Sequence, residues 1–358
     1  MNNSIGVPAD PSAALSEGIS RIALDVPLRR LFDYRVPEGC AAPLPGSRVR
    51  VPFGRQRLIG VVMEKAGDSA LPPERLKVIG AVLDPVPVLA ADVLDLVRWA
   101  SDYYHHPIGE VIASAVPKAL RAGASAVALT EIWHATAAGR AALRAGSLAR
   151  ARAQRALLEL LVAHGPLREA EVAERLPRWR PATAALLKQG WVSCESVATP
   201  LLPGPAASVA PAPAPTPEQA QAVAAIGATL GGFAAFVLHG LTGSGKTEVY
   251  LRVIEQVLAA GRRALVLVPE IGLTPQLVRR FAERLNAPMA VLHSALTDNE
   301  RLSAWRAAAS GAARIVVGTR SAVFAPVADL GVIIVDEEHD ASLKQHEGGF
   351  HYSARDLA

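Results

Sequence analysis

Phe233-Ala-Ala-Phe-Val-Leu-His-Gly-Leu-Thr-Gly-Ser-Gly-Lys-Thr-Glu-Val-Tyr-Leu-Arg252 decides the fold, because an apolar run, a glycine loop and the first turns of a helix follow one another without a break. The run Phe233 to Leu238 predicts a buried strand. Gly240 to Thr247 fits the phosphate-binding pattern G-x-x-x-x-G-K-[ST] at each fixed position. Gly240, Thr242, Gly243, Ser244 and Gly245 form the cradle: its glycines let successive backbone N–H groups converge on a phosphate, toward which the following helix points its positive end. Lys246 is placed to reach the outer phosphates of a nucleoside triphosphate. Thr247 offers a hydroxyl to Mg²⁺, a small hard cation usually held by one or two protein oxygens together with substrate phosphates.

A second stretch completes the chemistry. The apolar strand Val332-Ile-Ile-Val335 runs into Asp336-Glu-Glu-His339. Open parallel sheets bind ligands beyond the carboxyl ends of their strands, and an acidic residue there is a natural second partner for the metal of a P-loop. Asp336 is read as holding Mg²⁺ through water, and Glu337 as orienting and deprotonating an attacking water.

Composition narrows the class. Of the 358 residues 51% are hydrophobic and 20% charged, as in globular chains long enough for two or three domains. Mean hydropathy of +0.24 reflects abundant Ala, and no uncharged apolar run approaches the roughly 18 residues of a membrane span. The first 20 residues lack a basic start followed by an apolar core, so they read as a loose tail and the protein as cytoplasmic. Cys40 and Cys194 stand far apart, which excludes a thiolate zinc site and argues against a disulfide framework. Net charge +4 permits a nucleic-acid partner without requiring one.

Along the chain, residues 21–66 carry short apolar runs, Ile22 to Val26, Leu31 to Val36, Ser47 to Val51 and Leu58 to Met63, separated by Pro and Gly as in a small β-rich module. Its many arginines suit either a solvated face or a phosphate-binding surface. Helical periodicity follows from Ala90 to Leu120. Residues 127–133 read as a strand, 148–164, 167–176 and 181–190 as three helices, and Trp191 to Glu195 as a further strand, the winged-helix pattern. Pro200 to Pro217 holds seven prolines among small residues and reads as an extended linker. Beyond it helices and Val/Ile/Leu strands alternate at Glu218–Leu230, Phe233–Leu238, Glu248–Ala260, Ala264–Val268, a helix from near Thr274, Met289–Leu292, Asp298–Ser310, Arg314–Val317 and Gly331–Val335. That order predicts an α/β layer with a parallel sheet.

The DEEH stretch resembles the second motif of superfamily 2 helicases. Leu267-Val-Pro-Glu270 with Thr274-Pro-Gln276, and Val317-Gly-Thr-Arg-Ser-Ala-Val-Phe324, resemble two further motifs of that superfamily, which run along the DNA strand; Gln219 resembles the upstream Gln that reads adenine. Arg30-Leu-Phe-Asp-Tyr34, Gly46 to Gly54, Trp99 to Val111, PEIGLTPQ, HSALTDNER, GTRSAVFAP and DEEHDASLKQHEG together resemble one helicase family, the PriA family of replication restart. The resemblance implies a multidomain chain: a tail (1–20), a β-rich 3′ DNA-end-binding module (21–122), a winged helix (127–197), a linker (198–217) and a RecA-like P-loop helicase lobe (218–358). It implies an ATP- and Mg²⁺-dependent 3′ to 5′ helicase that binds forks and single-stranded DNA as a monomer away from membranes, near the nucleoid. Primosome proteins, single-stranded DNA-binding protein and the loading machinery of the replicative helicase are its implied partners. DNA would meet Phe32 and Tyr34, stacking the terminal base; Asp33, accepting from the 3′-hydroxyl; Gly54 and Lys77; and, on the motor, Thr319, Arg320 and Phe350.

The family also has a second lobe and a module of eight cysteines that binds zinc, for which these 358 residues hold no ligands. Without an arginine finger, worth about 10³ to 10⁵ in rate, hydrolysis by this chain alone is expected to be slow or absent. A fork-binding chain without catalysis is therefore the alternative reading, and an unrelated nucleotide-dependent enzyme a third. The family's aromatic-rich loop after DEEH keeps Phe350 and Tyr352, carries Leu343 where an aromatic is common, and is one residue longer.

Overall fold

The computed structural model describes residues 18–84, 86–127, 129–149, 151–198, 213–241 and 243–358. Most of the expected tail and linker, and Thr242, lie outside them.

Six strands make the first sheet: β1 Ile19–Ala23, β2 Phe32–Arg35, β3 Arg48–Phe53, β4 Gln56–Ala66, β5 Lys77–Val78 and β6 Ala81–Val82, in the order β5-β2-β1-β4-β3-β6. Ile22, Tyr34, Val49, Val51 and Val62 fill one side of it. Three helices follow, α1 Ala91–Tyr103, α2 Ile108–Ala115 and α3 Lys118–Arg121. Glycine is required at 109: a Cβ there would lie 1.6 Å from the carbonyl oxygen of Leu24, so the helix packs against the chain just after β1 only because that atom is missing.

Arg48 holds this module together. It is 1% exposed, its Nε and Nη2 donate to Asp84 at 2.8 and 2.7 Å, and its Nη1 donates to the carbonyls of Leu120 and Ala124. One side chain thus ties a strand to the end of the helical segment.

Residues 127–201 form a separate compact unit. In it β7 Leu129–Ala135, α4 Ala137–Arg144, α5 Arg152–His164, β8 Leu167–Arg168, α6 Glu169–Arg175, α7 Arg180–Lys188 and β9 Val192–Ala198 enclose a core of Trp133, Leu157, Leu158, Leu161, Trp179 and Leu186. The sheet order is β8-β7-β9, antiparallel throughout. Helix α4 was not expected from the sequence: its alanines give little apolar periodicity, and it is set by Thr136, whose hydroxyl caps it by accepting from the N–H of Gly139.

The remaining elements are α8 Pro217–Gly227, α9 Lys246–Ala259, β10 Arg263–Leu267, α10 Pro275–Leu285, β11 Met289–Leu292, α11 Asp298–Ala309, β12 Ile315–Gly318, β13 Leu330–Val335, the short strands β14 Lys344–Gln345 and β15 Tyr352–Ser353, and α12 Ala354–Leu357. The sheet β11-β12-β10-β13 is parallel, as the apolar runs predict. Successive strand residues point to opposite faces. Ala264, Val266, Ile315 and Val317 meet α9 and α10, while Leu265, Leu267 and Val316 share a core with Trp305, Phe324 and the α1–α3 residues Val97, Val111 and Leu120. The β-rich module and this lobe therefore pack as one compact unit.

One expected strand does not form. Phe233–Leu238 belongs to no helix or sheet; Phe233 is 98% and Val237 91% exposed. A strand exists by its ladder, and among the described residues no backbone hydrogen bond joins this run to β13. Only Leu238 packs inward, beside Val223, Val249 and Val253.

Replacing Asp84 by Ala leaves the Arg48 guanidinium buried without its counter-charge, a change that costs about 3–5 kcal/mol. Urea unfolding should show a loss of that size, and a loss under about 1 kcal/mol would show that the helix-end carbonyls suffice to hold the charge.

Candidate nucleotide site and nucleic-acid interface

The glycine loop positions Lys246 as the first residue of α9. Gly243 and Gly245 both take φ of +85°, and Gly245 is the N-cap of the helix. A Cβ at 245 would stand 2.4 Å from the amide nitrogen of Gln219, a side-chain end that could move, so it is the positive φ that calls for glycine here. Gln219 is the third residue of α8; its Oε1 accepts from the N–H of Thr216 in a capping box, and its Nε2 approaches the carbonyl of Gly245 at 3.4 Å. The capping signal Thr216-Pro-Glu-Gln219 thus places the Gln against the phosphate loop.

Asp336 follows β13 directly, and its N–H donates to Leu267 at 2.9 Å, extending the parallel ladder by one rung. Glu337 then turns away with φ of +43°. Few residues other than glycine adopt this left-handed conformation, which costs about 1 kcal/mol. The turn brings Glu337 Oε1 within 3.1 Å of Lys246 Nζ, across 91 residues of sequence; the same nitrogen donates to the carbonyl of Gly240 at 3.1 Å. Lys246 and Glu337 are thereby brought together, and Asp336 lies against the same helix through Tyr250. Gly240, Ser244 and Thr247 sit in the same loop and first turn.

Tyr250 is the residue that the motif reading missed. One helical turn beyond Lys246, its hydroxyl donates to Asp336 Oδ1 at 3.1 Å. Burial, with the Asp336 carboxylate beside it, pushes the phenol well above its ordinary range, so it remains a donor at neutral pH. The i to i+4 spacing from the motif lysine was its only trace in the sequence. Asp336 and Thr247 are hard oxygen donors and suit Mg²⁺, which needs few protein ligands. Among the described residues no cluster of three or more His, Cys, Asp or Glu side chains offers a metal a fuller cage.

Thr319 and Arg320 line a cleft of about 220 Å³ with Glu270, Ser294, Arg301, Ser321, Ser342 and Gln345, a rim rich in hydroxyls with two guanidinium groups. Arg320 Nη1 donates to the carbonyl of Ser342 at 3.3 Å, and Ser342 Oγ accepts from the N–H of Glu270 at 3.3 Å. Phe350, expected to face DNA, is 4% exposed and packs against Tyr104, His106 and Tyr352, so protein already covers its ring.

In the β-rich module Asp33 lies between Arg21, at 3.6 Å, and Ser69, whose hydroxyl donates to it at 2.5 Å. Phe32 stands edge-on to Phe53 with Arg30 over its ring. Tyr34 is 4% exposed and its hydroxyl donates to Pro52 O at 3.0 Å; burial takes it out of a stacking role. Gly54 takes φ of +58° at the first loop position of the β3–β4 hairpin. Lys77 is exposed on β5, in register with Tyr34.

Known proteins match both halves of this geometry. The family model of a PriA 3′ DNA-binding domain matches residues 21–117, and that of a DEAD/DEAH box helicase matches residues 216–358. The replication restart protein PriA of Haemophilus influenzae is 41% identical over 348 residues, 95% of this chain and 47% of the relative. That of Chlamydia pneumoniae is 32% identical over 340 residues, 92% and 45%. That of Bacillus subtilis is 54% identical over 123 residues, 34% and 15%. The chain spans about half the length, or less, of these curated relatives.

Tyr250→Phe should weaken Mg²⁺-dependent binding of a fluorescent ATP analogue about tenfold, the lower end of what loss of a ligand's hydrogen-bond partner costs, and leave Mg²⁺-free binding unchanged. An equal loss in both titrations would place the hydroxyl on the nucleotide instead.

Proposed function

Because the chain belongs to the PriA family of replication restart proteins, we propose that it binds ATP at the Lys246 loop and branched DNA through its β-rich module, as the N-terminal part of a 3′ to 5′ helicase. The observation that carries this reading is the contact of Lys246 with Glu337 in the same compact unit as the 3′-end-binding module. The cradle of Gly240, Thr242, Gly243, Ser244 and Gly245 holds the phosphates with Lys246, and Gln219 is placed to meet the base. Thr247 and Asp336 hold Mg²⁺, which when bound neutralises charge on the phosphates. Glu337 takes the proton of the attacking water. Its 3.1 Å contact with Lys246 keeps the carboxylate at the end of the loop where the outermost phosphate is held.

Asp33 is the acceptor for a 3′-hydroxyl, and Arg21, 3.6 Å away, orients its carboxylate. Phe32 presents the aromatic edge for the terminal base, the hairpin at Gly54 lets the strand approach, and Lys77 meets a phosphate. Thr319 and Arg320 grip the backbone of the strand on the motor. The unit of residues 127–201 fits a winged helix, a second grip on DNA or on protein. Loading of the replicative helicase together with primosome proteins and single-stranded DNA-binding protein, in the cytoplasm near the chromosome, completes the role. Among the described residues no helix is long and apolar enough to cross a membrane.

Fluorescence anisotropy on forks with and without a 3′-hydroxyl at the junction tests the module. The hydroxyl-bearing fork should bind about tenfold tighter, since a charge-assisted hydrogen bond contributes about 1.5–3 kcal/mol. Equal affinity would remove the 3′-end assignment. Lys246→Ala should abolish ATP binding and leave fork affinity within about twofold, because a phosphate grip and a strand grip on separate elements add independently. Loss of both together would contradict the division of labour.

A further inference from the structure

Glu248 follows Thr247 directly in α9 and is buried, yet no step proposed for the nucleotide site uses it. Its Oε1 lies 2.8 Å from Arg252 Nε, one helical turn on, and 3.7 Å from Arg284 Nη2 of α10, which also pairs with Glu255. A buried carboxylate persists only where cations answer it. Arg252 does so with one part of its guanidinium and works elsewhere with another: its Nη2 donates to the carbonyl of Pro213 at 2.5 Å, across 39 residues of sequence. Glu248 therefore holds the fork, and the fork holds the chain just before α8.

Three residues past Pro213, Thr216 caps α8. Its hydroxyl accepts from the N–H of Gln219 at 3.3 Å, while Gln219 Oε1 accepts from the N–H of Thr216 at 2.9 Å. Pro215 and Pro217 flank that cap, and each ring locks φ near about −65°, so little freedom is left between the anchored carbonyl and the Gln219 side chain. Val249 and Val253, the neighbours of Glu248 and Arg252 in α9, pack against Val223 of α8. Gln219 Nε2 stands 3.4 Å from the carbonyl of Gly245, so a shift of α8 along α9 would move that amide relative to the phosphate loop. An amide tells adenine from guanine only when its oxygen and nitrogen are both held in place, since adenine sets a donor beside an acceptor where guanine sets two acceptors. We propose that Arg252 is a positioning residue for base selectivity: held by Glu248, it fixes the entry of the chain into α8, and through it the Gln219 amide, so that adenine nucleotides are preferred to guanine ones. This rests on the reading of Gln219 as the residue that meets the base. Arg252 acts through that amide rather than on the nucleotide.

The test titrates the full chain with ribose-labelled fluorescent ATP and GTP analogues in the presence of Mg²⁺. The wild type should prefer ATP by about tenfold or more, as a bidentate amide on adenine allows. Arg252→Lys keeps a cation for Glu248 but lacks the planar fork that serves Glu248 and Pro213 together, and circular dichroism verifies that the variant is folded. It should lower ATP affinity about fivefold or more and leave GTP affinity within about twofold, a pattern that general loosening of the lobe would not produce. In a Gln219→Ala background the same substitution should change neither affinity by more than about twofold, because two changes that act through one amide do not add. Wild-type selectivity in Arg252→Lys, equal losses for ATP and GTP, or a full further loss in the double variant overturns the positioning role and leaves the Gln219 reading in place. Equal binding of both analogues by the wild type, or wild-type selectivity in Gln219→Ala, overturns the Gln219 reading and the positioning role with it.

Discussion

A single buried guanidinium sets the geometry on which the rest depends. Arg48 leaves β3, pairs with Asp84 and reaches the carbonyls of Leu120 and Ala124, so the end of the β-rich module and the end of its helical segment are fixed to one atom group. The lobe attaches at that fixed end. Arg306 of α11 donates to the carbonyl of Ser125, Lys118 pairs with Asp298, and Leu120 sits in the core that Trp305 and Leu267 share. Arg306 pays for its position: burial, with Arg48 close by, holds its guanidinium below the ordinary arginine range. Two like charges are accepted there because backbone carbonyls receive both.

The parallel sheet and the nucleotide loop were legible because their signals are local and dense. Val/Ile/Leu runs announce strands buried on both faces, and the glycine spacing before Lys246 has a geometric reason at each position. The helix starts read at Glu218, near Thr274 and at Asp298 lie within a residue of the observed ones, which Thr216, Thr274 and Thr297 cap. Phe233–Leu238 shows the limit of that reading. Its composition is that of a strand, but pairing is a property of two segments, and composition in one of them does not supply the partner.

The site divides along the same line. That Lys246 and Glu337 lie together could be read in advance because each sits in a short motif. Tyr250 could not, because its role depends on the angle between α9 and β13. Phe350 and Tyr34 fail in the opposite sense. An aromatic residue reads the same in sequence whether its ring is presented to a base or enclosed by neighbours, and only packing separates the two. Arg21 became interpretable once the antiparallel pairing of β1 with β2 set it opposite Asp33.

The left-handed turn at Glu337 bears on how sequences of this kind can change. The conformation that aims a carboxylate at Lys246 is one that glycine or asparagine would hold at less cost. Selection for thermal tolerance alone would favour those residues at 337 and discard the carboxylate with the strain. A glutamate at 337 thus carries a small standing loss of stability together with its contact to Lys246.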